Sequence, residues 1–581
     1  MLRRLISCIR EYKKATIITP IMMVGEVACE CIIPLITAAL INEIQKGCDM
    51  KVITKYGIGL FFMALFSLMF GCLAGWFAAT ASSGFAKNLR HDLFYKVQDF
   101  SFSNIDKFST SSLVTRLTTD ISNVQMAFMM IIRTAVRSPL MLVFSFIMSF
   151  KVGKKLAWIF AIFIPFLGIF LGLIIYKTMP LFHAVFQKYD KLNNSIQENI
   201  KGMRVVKSFV REDYEKKKFF AASDDVRHDF TTAEKILALN NPIMQFCVYC
   251  SLILISYFAS KLIVTSGGTY LNIGSLTSMI TYSMQILMSL MMLSMIFVMV
   301  TLAGESAKRI SEVLKEEIDL KSPESPIMDV PTGSIDFENV SFKYSKTAEK
   351  MALSNINLHI DAGMTVGIIG GTGSSKTSLI QLISRLYDVT EGSVKVGGID
   401  VRSYDINSLR NQVAVVLQKN ILFSGTIKEN LRWGNAKASD EELERICKLA
   451  QADDFIKGFP EQYDTYIEQG GANVSGGQKQ RLCIARALLK KPKILVLDDS
   501  TSAVDTKTDA LIRKAFRSEI PGTTKLIIAQ RISSVEDADM ILVMANGTIN
   551  GMGTHDELLK TNAIYQEVYT SQNKAGESNE E

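Results

Sequence analysis

The sequence lacks the features that would assign the protein to several common binding classes. Its nine cysteines are scattered, and the pairs Cys29–Cys31 and Cys247–Cys250 lie within apolar runs without a neighbouring cluster of histidine or cysteine. We interpret these cysteines as small buried residues rather than as parts of a metal or redox site. The net charge of +7 is spread along the chain, and no basic stripe is interleaved with aromatic residues. Nucleic acid is therefore not an expected partner.

No cleavable signal peptide is apparent either. Residues 1–14 are basic and amphipathic, and the apolar run that follows them is long enough to span a bilayer. The chain length suggests about two to four domains. Hydrophobic residues make up 48% of the chain, charged residues make up 21%, and the mean hydropathy is positive. This mixture indicates a membrane part joined to a soluble part.

Six hydrophobic stretches are long enough to cross the hydrocarbon core of a membrane. They cover about 16–42, 56–82, 127–150, 156–179, 241–265 and 272–302. Two long polar stretches with helical periodicity, 83–126 and 180–240, separate the second span from the third and the fourth from the fifth. We expect them to be helices that continue out of the membrane, each interrupted by a turn.

Basic residues predict the orientation of these spans. They are concentrated before the first span, as at Arg3, and in the two long polar stretches, as at Arg204. The positive-inside tendency therefore puts the N-terminus and both stretches in the cytoplasm. Lys151, Lys154 and Lys155 oppose this orientation but are outnumbered.

The composition changes after the sixth span. A membrane domain over 1–310 is followed by a charged linker over 311–333 that contains prolines. From Gly333 onward, short β runs alternate with helices, which predicts an α/β domain over 334–572. The polar tail, 573–581, is predicted to be disordered.

A phosphate-binding loop lies at the start of this α/β domain. Its strand is Val366–Ile369, and its helix begins near Ser378. In such loops the glycines permit unusual backbone angles, so that successive N–H groups and a helix N-terminus point at phosphates. Lys376 would contact the β- and γ-phosphates, and the Thr377 hydroxyl would bind Mg²⁺. The candidate ATP-binding residues are Gly370, Gly371, Thr372, Gly373, Ser374, Ser375, Lys376, Thr377 and Ser378.

Two further elements follow in a fixed order. The first is the segment Val474-Ser475-Gly476-Gly477-Gln478, and the second is the apolar run Ile494–Asp498, a pattern typical of a buried parallel strand. Together with the phosphate-binding loop, they resemble the nucleotide-binding domain of an ATP-binding-cassette (ABC) ATPase.

This resemblance implies roles for residues outside the loop. It implies ATP and Mg²⁺ as cofactors, with Thr377, Gln418 and Asp498 holding the metal and with Tyr344 stacked on the adenine. It also implies that a signature segment does not act on its own chain's ATP. The residues that would complete the site of a partner chain are Ser475, Gly476, Gly477 and Gln478.

Three residues at the chain's own ATP site depart from the ABC pattern. Ser375 stands in place of a glycine, Asp499 in place of the usual glutamate, and Gln530 in place of the usual histidine. Asp499 is one methylene shorter than glutamate, and a misplacement of about 1 Å can cost about a hundredfold in rate. Gln530 can donate a hydrogen bond but cannot become cationic as histidine can. Asp499, Gln530 and Gln418 form the candidate catalytic set, and we expect good ATP binding and poor hydrolysis.

The whole chain resembles a half-transporter of the ABC exporter superfamily. The implied fold is a type I exporter domain of six transmembrane helices followed by an α/β P-loop ATPase domain. Residues 104–125 resemble the first intracellular loop, with its coupling helix around 113–119, and residues 197–219 resemble the second. Asp505 matches the loop that crosses the dimer interface.

More narrowly, the chain resembles the degenerate-site subunit of a bacterial heterodimeric multidrug exporter. That implies a partner half-transporter with the catalytic glutamate and the histidine. It also implies a multi-pass location in a bacterial plasma membrane, with the ATPase in the cytoplasm, contact with membrane lipids and a small amphiphilic substrate.

Two features of the spans bear on the substrate. Met284, Met288, Met291, Met295 and Met299 lie at helical spacing in the sixth span. They suit either a promiscuous apolar cavity or helix packing. Glu26 and Glu30 lie one turn apart in the first span, where ionisable groups usually face a cavity or a partner. Two roles for these glutamates remain open. They would either favour cationic or proton-linked substrates or form hydrogen bonds between helices.

Two other functions remain open beside the heterodimeric exporter. One is a homodimeric lipid or peptide exporter in which Asp499 and Gln530 suffice, although the absence of an N-terminal peptidase domain disfavours peptide processing. The other is an ATP-gated regulator or channel that transports nothing. An importer is disfavoured because the cassette follows a six-span exporter-like domain in the same chain.

Overall fold

The computed structural model describes residues 2–345, 348–500 and 503–577. The chain divides into two compact units. The first comprises Met1–Gln98 and Ser109–Glu316, and the second comprises Asp99–Phe108 and Glu317–Glu581. The short stretch 99–108, which comes from the first long polar stretch, thus belongs with the ATPase part of the chain.

Before the first strand, the regular structure of the described residues is helical. They are α1 (Leu2–Ser7), α2 (Lys13–Gln45), α3 (Met50–Gln98), α4 (Phe102–Lys107), α5 (Thr110–Thr115), α6 (Ile121–Ile132), α7 (Thr134–Gly153), α8 (Trp158–Lys201), α9 (Met203–Ser208), α10 (Glu212–Ala238), α11 (Asn240–Ser266) and α12 (Ile273–Lys315). A π-helical turn, Arg116–Asp120, joins α5 to α6.

Within the described residues, six helical segments are long and apolar enough to cross a membrane. They are Arg10–Gln45, Met50–Gln98, Thr110–Gly153, Trp158–Phe182, Glu212–Ser266 and Ile273–Lys315. Each corresponds to one of the six predicted spans and extends beyond it at one end or both, although the fourth begins at Trp158 rather than at 156 and the sixth at Ile273 rather than at 272. The prediction of six spans with helical extensions is therefore confirmed.

Close packing of α2 and α3 depends on small residues. A Cβ at Gly84 of α3 would overlap the ring of Tyr12, which lies just before α2. Gly25 of α2 has Phe70 of α3 at 2.9 Å from the position of its missing Cβ. Glycine at these positions lets the two helices approach closely, as membrane helices commonly do.

The first intracellular loop differs from the prediction. Residues 113–119, the predicted coupling helix, are the end of α5 and part of the π-helical turn in the first unit. There Asp120 accepts hydrogen bonds from Ser306 Oγ at 2.8 Å and from Arg309 Nε at 2.8 Å, so these residues are tied to α12. The short helix that packs within the second unit is α4, which begins at Ser101 through a capping box with Asn104.

The second unit is an α/β domain with two main sheets. Its strands are β1 (Ile335–Phe342), β2 (Leu353–Ile360), β3 (Thr365–Gly370), β4 (Glu391–Val396), β5 (Ile399–Asp400), β6 (Val413–Val416), β7 (Gly425–Thr426), β8 (Tyr466–Ile467), β9 (Ile494–Asp498), β10 (Thr524–Ile528), β11 (Met540–Ala545) and β12 (Thr548–Gly553). Its later helices are α13 (Lys376–Ile383), α14 (Ile406–Gln412), α15 (Ile427–Arg432), α16 (Asp440–Leu449), α17 (Asp453–Lys457), α18 (Gly476–Leu488), α19 (Thr506–Glu519), α20 (His555–Thr561) and α21 (Ala563–Glu577).

The six-stranded sheet positions the site. Its order is β12-β11-β3-β10-β9-β6, and every neighbouring pair is parallel except β11 with β12. Strands β9 and β10 are buried along their whole length, as expected for parallel strands covered on both faces. The carboxyl ends of β3, β10, β9 and β6 therefore meet along one edge, where open α/β sheets bind ligands.

An antiparallel sheet, β2-β1-β4-β5, completes the main body of the domain, and β7 pairs with β8 separately. The described chain ends with helix α21 at Glu577. Residues 573–577, the first part of the tail predicted to be disordered, therefore belong to a helix. Residues 578–581 of that tail lie outside the described residues.

Candidate nucleotide-binding site

The phosphate-binding loop lies between β3 and α13. A Cβ at Gly370 would overlap the carbonyl oxygen of Met544 on β11, so only glycine fits there. The Lys376 ammonium group donates to the carbonyl oxygens of Gly370 at 2.7 Å and Gly371 at 3.0 Å, which holds it across the loop. Burial lowers the pKa of Lys376, and the nearby carboxylates of Asp498 and Asp499 oppose that shift.

Ser375 has the backbone conformation of the glycine that it replaces. Its φ is +70° and its ψ is 27°, in the left-handed region that disfavours residues with a Cβ. It occupies the N-cap position of α13, but its side chain makes no capping hydrogen bond. The loop thus keeps its shape despite the substitution, at the expense of local backbone strain.

Thr377 and Asp498 bring two oxygen groups together beside the phosphate-binding loop. The Thr377 hydroxyl donates to Asp498 Oδ1 at 3.3 Å, and Asp498 is only 3% exposed. Burial raises the pKa of Asp498, against the opposing effect of the hydrogen bond from Thr377. Mg²⁺ is usually held by one or two protein oxygen groups together with substrate phosphates and water. The pair fits that requirement and would hold the ion beside the loop.

Three predicted catalytic residues meet at Asp499. Its Oδ2 atom accepts a hydrogen bond from Gln530 Nε2 at 2.7 Å and a longer one from Gln418 Nε2 at 3.4 Å. Asp499 is 8% exposed, and its backbone lies in the left-handed region with φ +49°. Gln418 follows β6, Asp499 follows β9 and Gln530 follows β10, so adjacent strands bring the three side chains together.

A residue of the last helix fixes the loop that carries Gln530. Gln572 of α21 donates through Nε2 to the carbonyl oxygen of Gln530 at 2.7 Å. Its Oε1 atom accepts a hydrogen bond from the backbone N–H of Ile532 at 2.9 Å. One side-chain amide therefore holds the backbone on both sides of Arg531, much as a paired strand would.

Tyr344 lies beside α13. Its hydroxyl is 2.8 Å from Ser378 Oγ and donates to Gln381 Oε1 at 3.1 Å, while the residue remains 47% exposed. The ring of Tyr387 packs edge-on against it, with the ring centroids 5.2 Å apart. Tyr344 thus presents an aromatic surface next to the phosphate-binding loop, and its predicted stacking on adenine remains a prediction.

Tyr387 connects this aromatic group to α4. Its hydroxyl donates to Asp106 Oδ2 at 2.7 Å, and its ring packs edge-on against Phe102. At the start of α4, the hydroxyls of Ser101 and Ser103 both donate to the carboxylate of Asp319 at 2.5 Å. Helix α4 is therefore held at both ends within the second unit.

The signature residues lie at the start of α18, away from the loop contacts described above. The Gln478 N–H donates to Ser475 Oγ at 3.3 Å, and the Ser475 N–H donates to Gln478 Oε1 at 2.8 Å, which forms a capping box. Gly476 and Gly477 pack against Ala503, whose N–H donates to Gln480 Oε1 at 3.0 Å. Among the hydrogen bonds of the described residues, none joins these signature residues to the phosphate-binding loop of the same chain.

The sequence-based reasoning missed Tyr387 and Gln572. Tyr387 lies shortly after α13, and an aromatic residue at that distance carries no motif. Gln572 lies at the edge of the tail predicted to be disordered, so its contact with the Gln530 loop had no sequence signal. Both depend on contacts between residues that are far apart in the chain.

Comparisons with known proteins agree with this architecture. Residues 16–290 match the family model described as ABC transporter transmembrane region, and residues 353–502 match the model described as ABC transporter. The chain is 36% identical to the ABC transporter ATP-binding protein YfiB of Bacillus subtilis, over 98% of each chain. It is 31% identical to YknU of the same organism, over 97% of this chain and 95% of that one.

A solved structure shows the same fold. The structure of a bacterial Atm1-family ABC exporter with ATP bound superposes with a TM-score of 0.83 at 23% identity. The superposition covers 96% of this chain and 98% of that chain. Since the two family matches, the relatives and the fold agree, the chain belongs to the ABC transporter family, as an exporter-type half-transporter whose transmembrane and ATP-binding domains are fused.

Proposed function

We propose that this chain is the hydrolytically weak half of a heterodimeric ABC exporter. The observation that carries the proposal is the pair of hydrogen bonds to Oδ2 of Asp499 from Gln530 and Gln418. Asp499 and Gln530, which replace the family's glutamate and histidine, thus contact each other at the point where the attacking water must be oriented.

The contacts explain why hydrolysis at this site would be slow. Phosphoryl transfer needs a group that positions the attacking water and a group that stabilises charge on the γ-phosphate. The carboxylate of Asp499 already accepts a hydrogen bond from an amide N–H at 2.7 Å. The aspartate side chain is also one methylene shorter than that of glutamate. Gln530 uses its amide N–H on Asp499 and cannot supply a positive charge. The retained Lys376, Thr377 and Asp498 support ATP binding, so binding and turnover are separated.

The signature segment supports a role in a second site. Ser475 caps a helix of thirteen residues, and the N-terminus of such a helix carries the partial positive charge that attracts phosphate. We propose that Ser475, Gly476 and Gly477 complete the ATP site of a partner chain. That partner would supply the glutamate and histidine that this chain lacks.

Exposed apolar surfaces support association with a second chain. A cavity of about 310 Å³ in the ATPase domain is lined by residues that include the stacked rings of Phe423 and Trp433, which are 46% and 63% exposed. In the first unit, Phe209 and Val210, which follow α9, are 73% and 81% exposed. Apolar patches of this kind mark interaction sites, and we assign both to contacts with the partner half-transporter.

The exposed methionines support an amphiphilic substrate. Met284, Met288, Met295 and Met299 of α12 are exposed in this chain, whereas Met291 is partly buried against the helix-packing core. A flexible thioether surface adapts to varied apolar molecules. We propose export of drugs, lipids or other amphiphilic compounds across a bacterial plasma membrane, with the ATPase domain in the cytoplasm.

The test measures oligomeric state and Mg-ATPase rate of the full-length chain alone in lipid nanodiscs. Wild type is compared with Asp499→Glu, Gln530→His and the double substitution, and Lys376→Ala provides the background rate. We expect ATP binding without a stable homodimer, and near-background turnover even in the double variant, because no partner signature completes the site. A stable homodimer with vigorous turnover that depends on Asp499 would contradict the proposal.

Two other results would favour the remaining functions. A homodimer that is slow as wild type and fast as the double variant would retain the impaired site but favour a homodimeric lipid or peptide exporter. A complex with its partner that changes conformation with ATP, but whose ATPase no amphiphile stimulates, would favour an ATP-gated regulator.

A further inference from the structure

Two glutamates and one arginine meet where α2 packs against α7. Glu26 and Glu30 lie one turn apart near the middle of the predicted first span, 16–42, and the six predicted spans contain no other acidic residue. Arg137 Nη2 donates to both carboxylate oxygens of Glu30, at 2.7 and 2.9 Å. Arg137 Nε lies 3.4 Å from Glu26 Oε1. One guanidinium group is thus shared between two carboxylates.

Glu26 retains an unused acceptor. The residue is 9% exposed, and its Oε2 atom has no hydrogen-bond partner within the described part of the chain. The atom lies against Gly71 of α3, where a Cβ would be 3.3 Å away, so the small residue leaves room for the carboxylate. Buried polar groups are nearly always hydrogen-bonded, and an ionisable group in a membrane span marks a functional site by default.

The local charge favours a cation. The direct contacts pair two carboxylates with one arginine, which leaves one negative charge in surplus when both glutamates are ionised. Arg133 lies within electrostatic range of Glu26 but is exposed, and no ion pair among the described residues joins it to either glutamate. A surplus charge that is partly removed from water attracts a counter-ion strongly, because the low dielectric weakens screening.

The cluster is partly exposed, and a hydrogen bond joins it to α12, which carries exposed methionines. The side chains of Glu30 and Arg137 are 25% and 40% exposed. Gln285 of α12 donates to the carbonyl oxygen of Glu30 at 3.3 Å, which joins α12 to this part of α2. Met284 and Met288, next to Gln285 and one turn beyond it, are 37% and 63% exposed.

We infer that Glu26, Glu30 and Arg137 form a membrane-embedded anionic site that binds the positively charged group of an amphiphilic substrate, with the exposed methionines of α12 contacting its apolar body. The inference names a substrate class for the exporter function proposed above and rests on that function for transport. Binding itself needs neither ATP turnover nor the identity of the partner chain.

The test uses two probes of the same size and shape but opposite charge. Equilibrium binding of tetraphenylphosphonium and tetraphenylborate is measured on the full-length chain in zwitterionic lipid nanodiscs, and binding to empty nanodiscs is subtracted. We expect wild type to prefer the cation. Glu26→Gln and Glu30→Gln should each weaken cation binding roughly tenfold, because each removes one of two carboxylates at close range. Arg137→Gln should strengthen cation binding.

Two control variants separate this role from simple helix packing. Glu43→Gln neutralises a carboxylate near the C-terminal end of the same helix, where it pairs with Lys46, and should leave both probes unaffected. Glu30→Asp keeps the charge and should keep the preference for the cation even if overall binding weakens. Size-exclusion profiles of each variant check that the chain remains folded.

The opposite signs expected for glutamate and arginine variants make the inference falsifiable. If wild type shows no preference between the probes, or if all three substitutions change both probes alike, the cluster is a structural ion pair and the inference is wrong. Either result would leave the weak-hydrolysis proposal intact, because that proposal is tested by ATPase rate and oligomeric state. Conversely, a fast homodimeric ATPase would leave the charge preference to be judged by binding alone.

Discussion

Replacing Ser375 with glycine should stabilise the ATPase domain. Ser375 occupies the left-handed region with φ +70° and makes no capping hydrogen bond through its side chain. A residue with a Cβ costs roughly 1–2 kcal/mol in this region. Glycine avoids that cost but loses about 0.4–1 kcal/mol through its greater freedom in the unfolded chain. At the middle of both ranges, the difference leaves a net stabilisation of about 0.8 kcal/mol.

The effect is measurable as a shift in thermal unfolding. For a domain of about 150–250 residues, 1 kcal/mol shifts Tm by about 2–4 °C. We therefore expect Ser375→Gly to raise the unfolding transition of the ATPase domain by about 1–4 °C. The assay is differential scanning fluorimetry of the full-length chain in lipid nanodiscs, at a fixed scan rate.

Ser375→Ala is the matched control. Alanine keeps the Cβ and hence the backbone strain, and it removes only a hydroxyl that caps nothing. Its Tm should stay within about 1 °C of wild type, since substitutions that remove no stabilising contact usually change stability by less than about 0.5 kcal/mol. The reasoning is refuted if Ser375→Gly lowers Tm, or if Ser375→Ala raises it as much as Ser375→Gly does.

Three further predictions concern neighbouring contacts. Gly370→Ala should destabilise the domain by roughly 3 kcal/mol because its Cβ would overlap backbone of β11; Gly371→Ala, which meets nothing within 4 Å, should change Tm by less than about 1 °C. Tyr387→Phe removes the hydrogen bond to Asp106, so amide exchange in 99–108 should become about fivefold faster by mass spectrometry, and unchanged exchange would contradict the anchoring of α4. Gln572→Ala removes both bonds to the Gln530 loop and should speed amide exchange at 530–532 about fivefold or more, whereas exchange equal to wild type would mean that packing alone holds the loop.

Much of the fold was predictable because its signals are local in the sequence. Six long apolar runs have few structural alternatives to membrane helices, since every backbone polar group must be satisfied within lipid. The phosphate-binding loop was equally predictable, because its glycines, lysine and threonine act through the backbone of one short segment. Even the role of Ser375 as the residue in the glycine position follows from spacing alone.

Local signals did not predict which short helix of the first intracellular loop packs within the second unit. Residues 113–119, the predicted coupling helix, form a polar helical segment of the first unit, whereas α4 is the short helix that packs within the second unit. Its anchors are Asp319 and Tyr387, both more than two hundred residues away in sequence. No periodicity within the first intracellular loop contains that information.

The sequence by itself determined the spans, the order of the ATPase motifs and the identities of the residues that depart from the family pattern. Only the tertiary structure decided that Gln418 and Gln530 both bind Asp499, because the strand order β10-β9-β6 places the ends of three distant strands side by side. It likewise decided that Arg137 lies between Glu26 and Glu30, since helix packing brings α7 against α2. The charge and chemistry of a side chain follow from the identity of a single residue. The contacts between side chains depend on the packing of elements that are far apart in the chain.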